Sequence, residues 1–382
     1  MKLLYIVTHP ITAEKKLTDQ LEYMSKMGIS VSIVSGFEKN QENKFANEVQ
    51  VFSIPFSREI SIFRDLFSLF KTILLVRRLS PDIVNASTPK SGLIGMIAAW
   101  INRVPCRIYV LRGLRHETLH GLKRWIVKSM ERLSSLCATR VVAVSSSLQS
   151  ALIEDGICQL SKVLVLGSGS SNGLNYQLFD PGNKKLEIRS RIRDQLSIPN
   201  EDPVAVFVGR FTRDKGIVEL VEAFDEVLAT VPNAWLVLVG EYESGDPVPI
   251  ESKEKIFKNP KIKVVPFSPP RDYLVAADVF VLPSFREGFP VAPLEAAAAG
   301  LPTVGFACTG SVDAILDGET GLLVPVGDTK QLAGCVVLYF RDKALRDRHA
   351  EAAKKRVIDC FSQQTVWDNL IGLYTKELNA VT

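Results

Sequence analysis

The sequence predicts an α/β protein made of two domains, each built on a parallel sheet, and three observations lead there. Its 382 residues exceed what one hydrophobic core usually supports. Apolar β-like runs alternate with helix-like segments along almost the whole chain, which is the pattern of strand–helix–strand units. That alternation lapses once, at GSGSSNGLNYQLFDPGNKK (Gly167 to Lys185), where Gly, Ser, Asn and Pro break the period, and it restarts at Pro203. The domains are therefore expected at residues 1–175 and 176–361, with a final segment, 362–382, after them.

In order, Lys2 to Thr8 reads as a strand, Ala13 to Met27 as an amphipathic helix ended by Gly28, and Val31 to Ser35 as a second strand. β-like runs follow at Val49 to Ile54, Ile83 to Asn85, Arg107 to Leu111, Arg140 to Val144 and Val163 to Leu166. The second domain opens with PVAVFVG, a buried strand, then a polar turn and a helix from Gly216 to Ala229. Strands are expected at Trp235 to Val239, Ile262 to Val265, Val279 to Leu282, Thr303 to Phe306 and Leu322 to Val324. Ser362 to Leu378 is again amphipathic. No short-period repeat occurs, which argues against a solenoid.

Composition narrows the class. With 46% apolar and 23% charged residues and no low-complexity tract, the chain is globular, and no apolar run reaches the roughly 20 residues of a membrane span. The start, MKLLYIVTHP, reads as a first strand and is too short for a signal peptide. Cys106, Cys137, Cys158, Cys308, Cys335 and Cys360 form neither a C-x-x-C pair nor a zinc-like cluster, so reduced, buried, cytoplasmic thiols are expected. The net charge is +4, but residues 1–190 carry 25 Lys and Arg against 15 Asp and Glu, leaving 21 against 27 beyond. A basic N-terminal half suits an anionic surface or substrate, or is ordinary solvated charge.

The chemistry concentrates in DVFVLPSFREGFPVAPLEAAAAGLPTVGF (Asp278 to Phe306), a strand, a Gly/Pro-broken turn, a helix and a second strand. Glu287, Gly288, Phe289 and Glu295 fall in the turn and first helical turn, where free N–H groups favour an anion. This E-x7-E unit resembles the nucleotide-sugar site of retaining GT-B glycosyltransferases of family 4. The resemblance covers nearly the whole chain and implies two Rossmann-like domains facing a cleft, with residues 362–382 packing back on the first.

It also implies roles. Arg210 and Lys215 match the family's G-R-x4-K element, the first gripping a phosphate and the second meeting charge on a departing diphosphate. Glu295 would hold two ribose hydroxyls, or only satisfy the helix dipole. Glu287 would face the transferred sugar, or be a solvated loop acid. A glycoside-hydrolase use of the two carboxylates is not favoured. Gly288 and Phe289 amides, beside Leu294, would cradle the diphosphate, although Pro290 stands where many relatives carry Gly and removes one donor. Val265 and Pro266 are expected to hold the base through backbone groups. In the first domain THPITAEKK replaces the family's Gly-Gly loop, so His9 is either a loop histidine or a base. YVLRGLRHETLHG (Tyr109 to Gly121) offers Arg112, Arg115 and His116 to a pyrophosphate acceptor, or, for His116 and His120, merely begins a helix.

No D-x-D triplet is present, so no metal or other cofactor is expected. The implied function is retaining transfer of a hexose or N-acetylhexosamine from a UDP- or GDP-sugar, more readily UDP, to a polyprenyl-diphosphate-linked sugar in surface polysaccharide or oligosaccharide assembly. A UDP-sugar 2-epimerase of the same architecture and a non-catalytic binder are the alternatives. No nucleic-acid partner is expected. FRDLFSLFKTILLVRRL (Phe63 to Leu79) and LKRWIVKSMERL (Leu122 to Leu133) mix basic and apolar residues at helical spacing. They read either as core-packing helices or as a surface for the anionic inner face of the cell membrane, which would make the protein cytoplasmic and peripheral.

Overall fold

The computed structural model describes residues 1–37, 45, 48–56, 61–87, 89–119 and 121–380. They divide into two units, residues 1–173 with 363–382, and residues 174–362.

Unit 1 runs β1 (Lys2–Ile6), α1 (Pro10–Lys16), α2 (Thr18–Lys26), β2 (Ser30–Ser35), β3 (Gln50–Ser53), α3 (Ile62–Leu79), β4 (Ile83–Ser87), α4 (Pro89–Ile101), β5 (Cys106–Leu111), α5 (Gly121–Cys137), β6 (Arg140–Ala143), α6 (Ser146–Glu154) and β7 (Val163–Val165). Its strands are all parallel in the order β3-β2-β1-β4-β5-β6-β7. Unit 2 runs α7 (Lys185–Leu196), β8 (Val204–Val208), α8 (Ile217–Thr230), β9 (Trp235–Val239), α9 (Ile250–Lys258), β10 (Ile262–Val265), α10 (Arg271–Ala276), β11 (Val279–Leu282), α11 (Ala292–Ala298), β12 (Thr303–Phe306), α12 (Ser311–Ala314), β13 (Gly321–Val324), α13 (Thr329–Arg341) and α14 (Lys343–Phe361). Its sheet is parallel in the order β10-β9-β8-β11-β12-β13. The last helix, α15 (Gln363–Asn379), belongs to unit 1, where the Tyr374 hydroxyl sits 3.1 Å from that of Tyr5 and accepts from Asn85 Nδ2 at 2.5 Å.

Strands buried on both faces explain the continuous apolar runs. In unit 2, Ala205, Phe207, Leu236 and Val281 point into one cluster, closed by α8 and α13, and Val204, Val206, Val237 and Phe280 into another. One expected helix is broken: the segment read as Ala13 to Met27 is α1 followed by α2. The Leu17 N–H closes on the Ala13 carbonyl, and Thr18 Oγ1 bonds back to the Glu14 carbonyl, an arrangement that bends a helix.

The core-packing reading of Phe63 to Leu79 is overturned for its aromatic residues. In α3 Phe63 is 87% exposed, Phe70 60% and Phe67 52%, whereas the residues turned inward include Ser68 at 1% and Thr72 at 0%. Those two small polar groups are satisfied locally, Ser68 by the Pro55 carbonyl and Thr72 by the Ser68 carbonyl, so burying them carries no unpaired polar atom. In α5, Leu122, Trp125, Leu133 and Leu136 are likewise exposed.

Candidate active site

The strand order of unit 2 sets the position of its site. The chain leaves β8 toward β9 and β10 on one side, and leaves β11 toward β12 and β13 on the other, so the direction of winding reverses between the adjacent strands β8 and β11. Ligands of open parallel sheets bind at such a reversal, outside the carboxyl ends of the strands. The turn after β8 carries Arg210 to Lys215, and the turn after β11 carries Phe285 to Phe289.

These two turns are locked together. Gly216, at φ +70°, begins α8, and a Cβ there would lie 1.9 Å from the Pro283 carbonyl oxygen, so only glycine lets the first turn pass. The Phe285 N–H donates to the Asp214 carbonyl at 3.0 Å. Lys215 Nζ meets Glu287 Oε1 at 2.5 Å, and Arg286 Nη2 lies 3.5 Å from Asp214 Oδ2. Thr212 Oγ1 donates to Asp214 Oδ1 at 2.5 Å, and the Asp214 N–H donates to Asp246 Oδ2 at 2.8 Å. Burial alone would raise the Asp214 carboxyl, but the Thr212 hydroxyl and the charges of Lys215, Arg210 and Arg286 hold it below its ordinary value. The result is an alternating cluster of two cations and two carboxylates, largely shielded from water.

A third turn supports the second. Gly310, at φ +78°, sits beneath it, and a Cβ would come within 2.6 Å of the Gly288 carbonyl oxygen and 2.9 Å of that of Glu287. Beside it Cys308 Sγ lies 3.2 Å from Ser311 Oγ, and burial pushes the Cys308 thiol up. Glu295 occupies the first turn of α11, half-buried.

The remaining expected donor contacts fare unevenly. Arg210 pairs with Glu243 at the surface, a contact that a ligand phosphate would have to displace. The Phe289 ring is half-buried against the core, 5.2 Å from Phe361. The Leu294 side chain is buried with Ala297, Val357 and Phe361, and its N–H bonds the Val291 carbonyl at 2.9 Å. Val265 is buried, its carbonyl already accepts from the Gly240 N–H at 2.9 Å, and Pro266 has no N–H to offer. Thr212, Asp214, Arg286 and Gly310 were missed. Asp214 and Arg286 lie beside residues that were chosen, but nothing in the sequence brings Gly310 under Glu287.

In unit 1, His9 caps α1, its Nδ1 accepting the Ile11 N–H at 3.2 Å. Arg112 lies partly buried just past β5, over a cavity with room for about one water, about 20 Å³, also lined by Tyr5, Gln20 and Asn85. Its Nε is buried without a hydrogen bond, burial lowers its pKa, and among the described residues no carboxylate pairs with it. Arg115 lies in a 3-10 turn, Arg115–Thr118; His120 lies outside the described residues. His116 is fully buried, with Nδ1 2.7 Å from Glu131 and Nε2 2.9 Å from Asp155, so both ring nitrogens are engaged in pinning that turn to α5 and to the end of α6. Lys128 bonds the same Asp155 at 2.7 Å, and Lys128 and His116 together hold its carboxyl low against burial.

Both sheets are thus doubly wound, and the second carries interlocked charged turns at its reversal point. Residues 188–356 match "Glycosyl transferases group 1" and residues 13–169 match "Glycosyltransferase Family 4". The chain is 36% identical over 372 residues to the "Capsular polysaccharide biosynthesis glycosyltransferase CapM" of Staphylococcus aureus, covering 96% of both. It is 25% identical over 333 residues to the Escherichia coli "UDP-Gal:alpha-D-GlcNAc-diphosphoundecaprenol alpha-1,3-galactosyltransferase", covering 86% of this chain and 84% of the relative. The structure of Anabaena HepE in complex with UDP and glucose superposes with a TM-score of 0.79 at 20% identity over 98% of this chain and all of that one, a likeness of fold. The chain belongs to the family 4 glycosyltransferases, has the GT-B fold and is a transferase.

Proposed function

We propose that this glycosyltransferase moves a hexose or N-acetylhexosamine from a UDP-sugar to a polyprenyl-diphosphate-linked sugar, with retention of configuration and without a metal ion. The observation that carries the reading is the Lys215–Glu287 pair at the reversal point of the unit 2 sheet. When a donor arrives, Lys215 turns to its diphosphate and Glu287 to hydroxyls of the transferred sugar, while Glu295 holds the ribose. The bond from the sugar's anomeric carbon to the phosphate oxygen breaks. The acceptor oxygen bonds the same face of that carbon, and its proton passes to the departing diphosphate. Charge on that diphosphate is met by Lys215 and Arg210.

The UDP in the HepE complex and the lipid diphosphate in the name of the Escherichia coli relative support the choice of donor and acceptor. Arg112, a cation with no carboxylate partner among the described residues, suits the acceptor's diphosphate. Among the described residues no helix is long and apolar enough to cross a membrane, so the enzyme would meet such an acceptor by docking on the inner face of the cell membrane.

A screen of UDP- and GDP-sugars, with free nucleotide measured by mass spectrometry after EDTA treatment, tests donor and metal together. Release of UDP in chelator is expected. A GDP preference, or activity restored only by magnesium, overturns those parts. The anomeric coupling of the product in proton NMR decides retention.

A further inference from the structure

The outward face of α3 continues into a groove. Between α3 and β3, the edge strand of the unit 1 sheet, lies an open space of about 280 Å³. Phe52 and Ile54 wall it from the strand side, and Leu74 and Leu75 from the helix. Ser53, Lys71 and Arg78 complete the lining. Lys71, Leu74, Leu75 and Arg78 follow the i, i+3, i+4, i+7 spacing that places residues on one helix face. The two cations thus bracket the two leucines about 10 Å apart along the axis, at 1.5 Å per residue. Two long side chains can close that span around one phosphate.

Among the described residues the charges are uncompensated: neither Lys71 nor Arg78 pairs with a carboxylate, and the Lys71 ammonium lies 4.5 Å from the centre of the Phe67 ring. Arg64 and Arg77 are exposed on the same helix, and Asp65, its one acidic residue, is bonded to Lys90. A free phosphate would leave the apolar walls wet, and an apolar peptide would leave two cations buried without a counter-charge. An amphiphile with a phosphate beside hydrocarbon satisfies both.

We propose that the α3–β3 groove binds one anionic phospholipid, its phosphodiester held between Lys71 and Arg78 and the start of its acyl chains against Phe52, Ile54, Leu74 and Leu75. Phe63, Phe67 and Phe70 enter the headgroup layer beside it. The proposal rests on the reading that the acceptor is lipid-linked, and it makes the membrane contact a discrete site.

The test titrates dihexanoyl-phosphatidylglycerol, kept below its micelle concentration, into the full chain by calorimetry. Saturable 1:1 binding is expected, weakened at least tenfold in a Lys71→Glu, Arg78→Glu variant. An Arg64→Glu, Arg77→Glu variant makes the same charge change outside the groove. It should bind the monomer as the parent does and lose only capture by vesicles containing phosphatidylglycerol. Equal weakening in both variants would overturn the site in favour of a diffuse field. Equal binding of dihexanoyl-phosphatidylcholine, or competition by millimolar inorganic phosphate, would also overturn it. UDP release with a water-soluble short-chain acceptor is measured in parallel: its loss in the parent protein would count against the proposed reaction and leave the lipid result standing.

Discussion

Helices α8 and α3 are both amphipathic in sequence, and they place their aromatic residues on opposite sides. α8 turns Ile217, Leu220, Val221, Phe224 and Val227 into the unit 2 core. α3 turns Ser68, Thr72 and Val76 inward and leaves Phe63, Phe67 and Phe70 outside. A helical period in a sequence states that one face will meet something apolar, and it does not state that the partner is the protein's own sheet. Charges follow the same division. At the start of α8 they are paired across two turns, Lys215 with Glu287 and Asp214 with Arg286. On α3, Lys71 and Arg78 have no carboxylate among the described residues. Paired charges mark a site organised in advance, whereas unpaired cations beside exposed apolar rings mark a surface that waits for a partner.

The contrast is sharpest for truncated aromatics. Phe224→Ala, on the core face of α8, should cost about 3–5 kcal/mol of stability. Phe67→Ala or Phe70→Ala, on α3, should change it by no more than about 0.5 kcal/mol. Urea unfolding midpoints check this, and a comparable loss at Phe67 or Phe70 would mean that the α3 face packs within the molecule after all. At the paired site, Lys215→Ala should lower kcat about 10²- to 10³-fold, the usual cost of removing one group that meets developing charge, with a much smaller change in donor KM. Steady-state UDP release separates the two constants, and a raised KM at unchanged kcat would reduce Lys215 to a binding group.

Gly216→Ala probes the lock between the turns. With a Cβ aimed at the Pro283 carbonyl and φ at +70°, it should cost more than about 1 kcal/mol and lower kcat even though it removes no charge. Activity equal to the parent would show that the turns need not interlock. The smallest effect expected is on acid stability. Because the folded state holds Asp214 below its ordinary value of 3.8, its contribution is present above that pH and is lost as pH falls through the folded value. Thermal midpoints measured from pH 6 to 3 should fall less steeply for Asp214→Asn than for the parent, and parallel curves would remove Asp214 from the acid response.

Much of this was legible in the chain. Alternating apolar runs and helical periods fixed two parallel-sheet domains, because strands buried on both faces must be continuously apolar and crossover helices must be amphipathic. The lapse at Gly167 to Lys185 spans the change of unit at residues 173 and 174, and the E-x7-E and G-R-x4-K spacings drew attention to two turns that the structure holds together. What they could not mark was partnership at long range. That Lys215 reaches Glu287, that Gly310 lies under Gly288, and that Leu294 is core depends on which strands are neighbours, a property of the sheet and not of spacing. His116 shows the same limit, since its three neighbours in the sequence, Arg112, Arg115 and His120, suggested a polar site. Its actual partners, Glu131 and Asp155, come from 15 and 39 residues away and make it a buried pin. The outward face of α3 was undecidable for a related reason: the sequence determined that the helix has two faces, and only the packing of α3 against the rest of unit 1 decided which of them is left to meet a partner.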